Sequence, residues 1–118
     1  MNRKEIITYC LELGNVYEDY PFDDNWAAMR HSGNHKTFAF IYELDGILRM
    51  NLKCEPLKAE LLRKINPCVS PAYHMNKVHW NMITFDSNFA MDKNDVMDMI
   101  EDSYELTRPK IKRKCKQI

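Results

Sequence analysis

Glycine and paired cysteines are scarce in this chain of 118 residues. Only three glycines occur, Gly14, Gly33 and Gly46, and none of them lies in a phosphate-binding loop or a dinucleotide-binding motif. The four cysteines are widely spaced, without a C-x-x-C pair. Neither nucleotide-dependent chemistry, a zinc knuckle nor a small disulfide framework is therefore indicated. We expect reduced thiols, with Cys10 and Cys54 in the core.

Long apolar runs are also missing. No stretch approaches the roughly 18 apolar residues that a membrane span needs, and Glu5 and Glu12 interrupt the N-terminal segment, which argues against a signal peptide. The length and the hydrophobic content of 45% fit one globular domain with one core. The sequence therefore predicts a cytoplasmic protein that is not embedded in a membrane, and we expect a monomer.

Charge is unevenly distributed, although the formal net charge is zero. All 17 acidic residues precede Arg108, together with 11 of the 17 lysines and arginines, which leaves residues 1–107 with a net charge of −6. The remaining basic residues lie in the segment RPKIKRKCKQI. Such a tail can bind phosphates through counterion release, but a solvated terminus has the same composition. We predict one domain over residues 1–107 and a basic tail over residues 108–118.

Three segments have the pattern of helices. Asn2 and Glu5 form a capping-box pattern before a first helix that a Gly-Asn pair ends. A second helix is predicted in EPLKAELLRKINP, with Pro56 in its first turn. A third begins near Asp92 and continues through Tyr104. The second helix should cover the sheet with its apolar stripe, which consists of Leu57, Leu61 and Ile65.

Four segments alternate apolar and polar residues and predict strands: Trp26 to His31, Thr37 to Glu43, Ile47 to Cys54, and Val78 to Phe85. Short turns separate the first three, so an antiparallel meander is expected. Before them, the segment from Glu18 to Asp24 should be an exposed acidic loop. The predicted order is α-β-β-β-α-β-α, an α+β fold with helices packed on one face of the sheet.

The strand from Ile47 has the clearest alternation. One set of its side chains should face the core, and the other should form a polar sheet face carrying Arg49, Asn51 and Lys53. The predicted core residues are Leu48, Met50, Leu52, Leu61, Ile65 and Ile100.

The segment SPAYHMNKVHWN, residues 70–81, concentrates polar and aromatic side chains. His74 and His79 are five residues apart, whereas a helical zinc pair requires a separation of four, and no acid or cysteine lies between them. No nucleophile motif occurs either. A metal site and a catalytic site are therefore both disfavoured.

A binding surface fits these residue types better. If the end of the segment is a strand, Lys77, His79 and Asn81 share one face, and the opposite face holds Val78, Trp80 and Met82. The donors could contact phosphates, and Tyr73 could stack on a base. The alternative is a polar edge strand in which His74 and Asn76 satisfy local backbone groups. In both cases the segment should be fixed, with Trp80 largely buried.

Three segments in order resemble signatures of the MmcQ/YjbR family: NLKCEP at 51–56, SPAYHMNKVHWN at 70–81, and DSYELTRPK at 102–110. They follow the family's order between residues 51 and 110, and the His-Met-Asn-Lys-x-His-Trp stretch is quite specific to that family. The resemblance implies a fold similar to CyaY (frataxin), with helices on one face of an antiparallel sheet. It also implies a DNA-binding role.

The function expected from the resemblance and the residues together is weak nucleic-acid binding with little sequence preference. The alternative is a protein- or small-ligand-binding domain, because a body charge of −6 repels a polyanion. Iron handling by analogy with frataxin would use the carboxylates between Glu18 and Asp24, which a solvated loop explains more simply. No enzyme activity, cofactor or required metal is predicted. The predicted nucleic-acid-binding residues are Arg49, Lys53, Tyr73, His74, Asn76, Lys77, His79 and Arg108.

The assigned core face can be tested at Leu52. We expect Leu52→Ala to lower the free energy of unfolding by about 2 to 5 kcal/mol, because burial is lost and a cavity remains. Urea unfolding measures this change, and an unaltered midpoint would contradict the assigned face.

Overall fold

A computed structural model describes residues 1–72 and 74–110. These residues form three helices and one sheet of six antiparallel strands. In chain order the elements are α1 (Arg3–Glu12), β1 (Val16–Asp19), β2 (Ala27–His31), β3 (Thr37–Leu44), β4 (Ile47–Lys53), α2 (Pro56–Ile65), β5 (Val69–Pro71), β6 (Trp80–Thr84) and α3 (Lys93–Thr107). The α+β fold with an antiparallel sheet is confirmed, whereas the likeness to CyaY stays a prediction.

The strands follow the spatial order β1-β2-β3-β4-β6-β5. The four predicted strands are present as β2, β3, β4 and β6, and the two short edge strands were missed. Strand β1 occupies Val16–Asp19, so Glu18 and Asp19, the first two residues of the predicted acidic loop, belong to a strand paired with β2. Strand β6 begins at Trp80 instead of Val78, because residues 77–79 form turns.

The helix ends follow the sequence signals. The side chain of Asn2 accepts a hydrogen bond from the Glu5 backbone N–H, and the Glu5 carboxylate accepts one from the Asn2 N–H, which completes the predicted capping box. Helix α2 has Pro56 at its start, and the side chain of Glu55 caps it. Asp92 is the N-cap residue of α3, but its side chain makes no capping hydrogen bond. Side-chain caps therefore mark the starts of α1 and α2.

The helices lie on one face of the sheet, which we call the covered face. Its core contains residues of the central strands together with Ile6, Cys10 and Ile100 from α1 and α3. Met50, Leu52 and Cys54 are buried as predicted, and Leu48 is partly buried against this core. The opposite side of the sheet is called the open face. It bears Arg49 and the other side chains that alternate along the strands with those of the covered face.

Helix α2 does not use the predicted stripe. Leu57, Leu61 and Ile65 are 75%, 55% and 62% exposed, so the predicted placement of Leu61 and Ile65 in the core is wrong. The helix turns Ala59 and Arg63 toward the sheet instead. Both contact Asn81, a fully buried residue whose amide donates to the Ala59 carbonyl and accepts from Arg63 Nε. A buried amide needs hydrogen-bond partners, which a leucine face cannot supply.

A β-bulge interrupts the pairing of β2 with β3. Met29 pairs with Ala39, but the next residue, Arg30, pairs with Thr37, so Phe38 is an extra residue on β3. Phe38 and Ala39 are consecutive in sequence, yet both belong to the covered core, which strict alternation of a strand does not allow.

The hydroxyl of Ser103 on α3 bridges β3 and β4 beside this bulge. Its Oγ accepts a hydrogen bond from the Lys53 backbone N–H at 2.9 Å and donates one to the Phe38 carbonyl at 2.6 Å. Ser103 is fully buried, so losing these hydrogen bonds would cost free energy of folding, because water does not reach the groups to replace them. The serine therefore ties the third helix to the centre of the sheet.

A buried histidine fixes the end of α3. His31 is 1% exposed, and its ring packs against those of Phe38 and Tyr104. Its Nε2 lies 2.9 Å from the hydroxyl of Thr107, which itself donates to the Ser103 carbonyl, so Nε2 is the donor of this pair. Burial lowers the pKa of His31, and the neutral ring is the form that folding favours.

We expect Ser103→Ala to reduce the free energy of unfolding by about 1 to 3 kcal/mol, because the Lys53 N–H and the Phe38 carbonyl would both be left without a buried partner. Urea unfolding followed by circular dichroism measures the reduction. The exposed Ser87 provides a matched control, since Ser87→Ala should change stability by no more than about 0.5 kcal/mol. Equal effects of the two substitutions would show that the bridge contributes nothing.

Stability should also fall as the pH drops below about 6.5, the ordinary pKa of histidine. The pKa of His31 is lower in the folded chain than in the unfolded chain. Protons therefore bind preferentially to the unfolded chain between these two values, which lowers the free energy of unfolding through that window. Urea unfolding at a series of pH values measures the slope.

His31→Gln should flatten this slope, whereas the same change at the exposed His79 should leave it as in the wild type. If His31→Gln keeps the wild-type slope, another group is responsible for the pH dependence.

Candidate functional site on the open sheet face

Aromatic rings cover much of the open face near β2 and β3. Trp26 stacks on Tyr42, with ring centroids 3.7 Å apart and planes within 8°. Phe40 lies next to both Trp26 and Phe22, at centroid distances of 6.1 and 6.3 Å. On its other side, Phe40 is 6.3 Å from the ring of Trp80. Phe22 is 70% exposed, so a large part of this cluster remains accessible.

A pocket of about 360 Å³ opens in this aromatic cluster. Its walls combine aromatic rings with one carboxylate and the start of the turn before β6: Phe22, Asp23, Trp26, Phe40, His74 and Met75. The volume lies at the lower end of the range of small-molecule sites, and concave apolar pockets with few polar groups are typical of such sites. The open face therefore offers a concave site of the size and composition that suit a small planar ligand.

The position of Asp23 is fixed by its own turn. Its Oδ1 accepts hydrogen bonds from the backbone N–H groups of Asn25 and Trp26, at 2.9 and 3.1 Å. The Asn25 side chain in turn contacts β3, where it donates to the Glu43 carbonyl and accepts from the Glu43 N–H. Aspartate often stabilises a turn in this way. The carboxylate is thus held at the mouth of the pocket.

A polar contact lies beneath the rings. The Tyr42 hydroxyl donates to Asn51 Oδ1 at 2.8 Å, and both residues are fully buried. The prediction of a polar solvent-facing strand side is therefore wrong at Asn51, because the aromatic cluster covers it. Met82 of β6 places its sulfur 3.3 Å from the same hydroxyl. This network holds Tyr42, and with it the stacked Trp26, in one position.

Two predicted cations do lie on the open face. Arg49 pairs across the sheet with Tyr42 on β3 and with Thr84 on β6, and Lys53 lies opposite Trp80. Arg49 has no ion pair with any residue that the structure describes, and its buried Nε has no hydrogen-bond partner there either. No described carboxylate neutralises Arg49, so its charge can attract an anion to the open face.

The predicted residues His74, Asn76, Lys77 and His79 are exposed in the segment just before β6. His74 has a positive φ of 62° and lines the pocket. The side chain of Asn76 accepts a hydrogen bond from the Val78 N–H, which confirms the predicted contact with local backbone. Lys77 and His79 contribute their carbonyls to Arg63 and Cys54, respectively, and leave their side chains exposed.

The predicted shared face of Lys77, His79 and Asn81 is wrong. The first two lie in turns, whereas Asn81 lies opposite Leu52 and is buried under α2. Trp80 is mostly buried, as expected, but its ring lies on the open face with Phe40 and not in the core under the helices. The reason is the strand register, which turns residues of odd number in β6 toward the helices.

Arg108 lies apart from these residues, at the end of α3. It forms an ion pair with Glu105 at 2.8 Å, and its guanidinium lies 5.9 Å from the Tyr104 ring centroid. The structure therefore does not bring Arg108 together with the open-face cations. Tyr73 and the basic residues from 111 onward lie outside the described residues, so their predicted roles stay predictions.

Other kinds of site find little support. Residues 1–72 and 74–110 contain no group of three or more metal-binding side chains, and no helix among them is long and apolar enough to cross a membrane. Cys10, Cys54 and Cys68 are buried free thiols. Burial raises the pKa of the Cys10 thiol to about 12, and it also raises the pKa values of Cys54 and Cys68. A reactive cysteine requires the opposite shift.

The sequence interpretation missed the aromatic half of the site. Phe40 and Tyr42 alternate with Ala39 and Ile41 on β3, so the sequence already placed two rings on the side facing away from the helices. Trp26 then follows the acidic segment immediately before β2. That alternation is the signal from which an aromatic surface could have been predicted.

The geometry defines a small α+β domain whose sheet is covered by helices on one side and carries an aromatic pocket beside free cations on the other. The sequence profile of the YjbR family matches residues 11–106, which is most of the chain. The chain therefore belongs to the YjbR family, as its signature segments predicted.

Relatives and solved structures agree with this assignment. The uncharacterized protein YyaQ of Bacillus subtilis is 31% identical over 120 residues, covering 92% of this chain and 99% of the relative. The uncharacterized protein YjbR of Escherichia coli K12 is 27% identical, covering 89% and 86%. A crystal structure of a Pseudomonas syringae protein has a TM-score of 0.79 at 32% identity and covers 92% of this chain and all of that one.

Proposed function

We propose that the open face binds single-stranded nucleic acid, weakly and with little overall sequence preference. The observation that carries this proposal is that the open face bears both Arg49, a cation without a described ion-pair partner, and the aromatic rings of Phe22, Phe40 and Trp80. Rings that stack on bases and cations that contact phosphates are the two components of single-strand binding sites. No catalytic step is part of the proposal.

Charge varies across the open face in a way that orients a strand. Arg49 and Lys53 lie on β4, and the exposed Lys77 follows in the turn before β6. Carboxylates lie toward the other edge, where Asp19 on β1 is paired with Arg30 and Asp23 borders the pocket. Phosphates should therefore run along β4 and β6, with bases directed toward β2 and β3. Because the charges are segregated in this way, the net charge of −6 over residues 1–107 does not exclude a polyanion.

The rings favour single strands over a duplex. Phe40 and Trp80 project from a sheet, where they can stack on a base only if that base is unpaired. The described residues place no helix on this face, so a recognition helix for the major groove is not available there. The basic tail after Arg108 would add phosphate contacts of no sequence preference. A cytoplasmic location is part of the same proposal.

A second candidate function is binding of a small ligand or a protein side chain. The pocket of about 360 Å³ supports it, since aromatic walls and one carboxylate also suit an organic cation. In that case Asp23 would be the main polar contact, and Arg49 and Lys53 would have no role.

The proposal predicts salt-dependent binding. We expect a labelled single strand of about ten nucleotides to bind the wild type, and the double substitution Lys53→Ala with Lys77→Ala to weaken this binding. The slope of log affinity against log salt should become shallower by about 0.7 for each phosphate that the variant no longer binds. A chain ending at Thr107 should weaken binding in the same way. Fluorescence anisotropy at several salt concentrations measures both effects.

Lys64 and Lys93 provide the control, because both are exposed and lie on the helices of the covered side. Replacing both with alanine removes the same charge and should leave the salt slope nearly unchanged. Absence of binding to single strands and to duplex at about 50 mM salt would remove the nucleic-acid proposal and leave the ligand pocket as the remaining candidate.

A further inference from the structure

We infer that the pocket bounded by Phe22, Trp26 and Phe40 receives one unstacked base, and that Asp23 selects a base presenting an amino group. This inference rests on the proposed function and gives it a preference at a single base position. Cytosine is the simplest such ligand, whereas uracil presents a carbonyl oxygen at the same ring position.

The two oxygens of Asp23 have different partners. Oδ1 accepts from the N–H groups of Asn25 and Trp26, which fixes the orientation of the carboxylate. Oδ2 receives no hydrogen bond from the part of the chain that the structure describes. An ionised carboxylate can only accept, so its remaining oxygen attracts an amino group and repels a carbonyl oxygen. The turn therefore holds an acceptor in place before any ligand arrives.

The remaining walls suit a planar ring. Phe22 and Phe40 are nearly parallel, at 21°, and Trp26 is steeply inclined to both, at 81° and 69°. A ring at the mouth of this arrangement finds one aromatic face to stack on and a second ring at its edge. His74 and Met75 close the side toward β6. Stacking of this kind contributes binding energy for any base, so the choice among bases is left to Asp23.

A phosphate does not fit the same position. The Asp23 carboxylate would repel it, and none of the described residues lining the pocket is a lysine or an arginine. The open-face cations Arg49 and Lys53 lie two residues on either side of Asn51, which pairs with the pocket residue Phe40. A nucleotide that stacks in the pocket can thus direct its phosphate toward β4. The pocket and the cations therefore serve different parts of one ligand.

The experiment measures the affinity of the full-length protein for two oligonucleotides of equal length, one of deoxycytidine and one of deoxyuridine, at slightly alkaline pH. The wild type should bind the cytosine strand about tenfold more tightly, in keeping with one charge-assisted hydrogen bond. Asp23→Asn keeps the Oδ1 acceptor that the turn uses and replaces Oδ2 with an NH₂ donor. That variant should lose the preference for cytosine or reverse it in favour of uracil.

Asp24→Asn is the matched control, because Asp24 is adjacent and exposed but does not line the pocket. It removes the same charge, so it should tighten or leave unchanged the binding of both strands and keep their affinity ratio. Urea unfolding verifies that both variants fold with wild-type stability.

The possible results separate the two proposals. Equal affinity of the wild type for both strands would overturn the base preference while leaving single-strand binding in place. The base preference would also be overturned, with single-strand binding left in place, if Asp23→Asn kept the wild-type ratio of the two affinities. If neither strand binds, both proposals fail together, and binding of free cytidine without any strand binding would support the pocket as a small-ligand site. A loss of ratio in Asp24→Asn as well would assign the effect to general charge, against the inference.

Discussion

The Ser103 hydroxyl is the contact on which the two faces of the sheet depend. Strand β3 carries an extra residue, Phe38. The Ser103 hydroxyl donates a hydrogen bond to the Phe38 carbonyl and accepts one from the Lys53 N–H of the neighbouring β4. The bulge allows Phe38 to enter the covered core while Phe40 and Tyr42 remain on the open face. A regular strand would place all three rings on one side. The bulge therefore determines which aromatic rings lie on the open face, and the third helix is bonded to the backbone beside it.

The open face combines features that a purely structural surface does not need. Burying the Nε of Arg49 without a described partner costs free energy, and so does leaving Phe22 largely exposed. Aromatic residues and arginine are both enriched at binding sites. The signature residues divide accordingly: Ser103, Tyr104 and Thr107 maintain the fold, whereas His74 lines the pocket.

Local signals predicted much of the fold. The capping box at Asn2 and the alternation of β4 are determined by neighbouring residues, so they could be recognised from the sequence alone. The side of α2 that faces the sheet could not be predicted. Its leucine stripe was the expected inner face, but Asn81, which is distant in sequence, bonds Ala59 and Arg63 and so turns the opposite side inward. The strand β1 was likewise hidden, since its pairing with β2 overrides an acidic composition. For the site, the cations of β4 were predicted, but the pocket joins residues from three separate segments, and a single sequence does not show their proximity.

The two edge strands of the sheet are short. Strand β5 has three residues and ends in Pro71, which has no backbone N–H to offer a neighbour, and β1 has four residues, including Glu18 and Asp19. Recognition by strand addition, in which an incoming peptide extends a sheet through main-chain hydrogen bonds, therefore finds little backbone to pair with. A partner of the proposed kind would be recognised through side chains. Specificity in this fold can consequently be changed one residue at a time, without altering the hydrogen-bonded frame of the sheet.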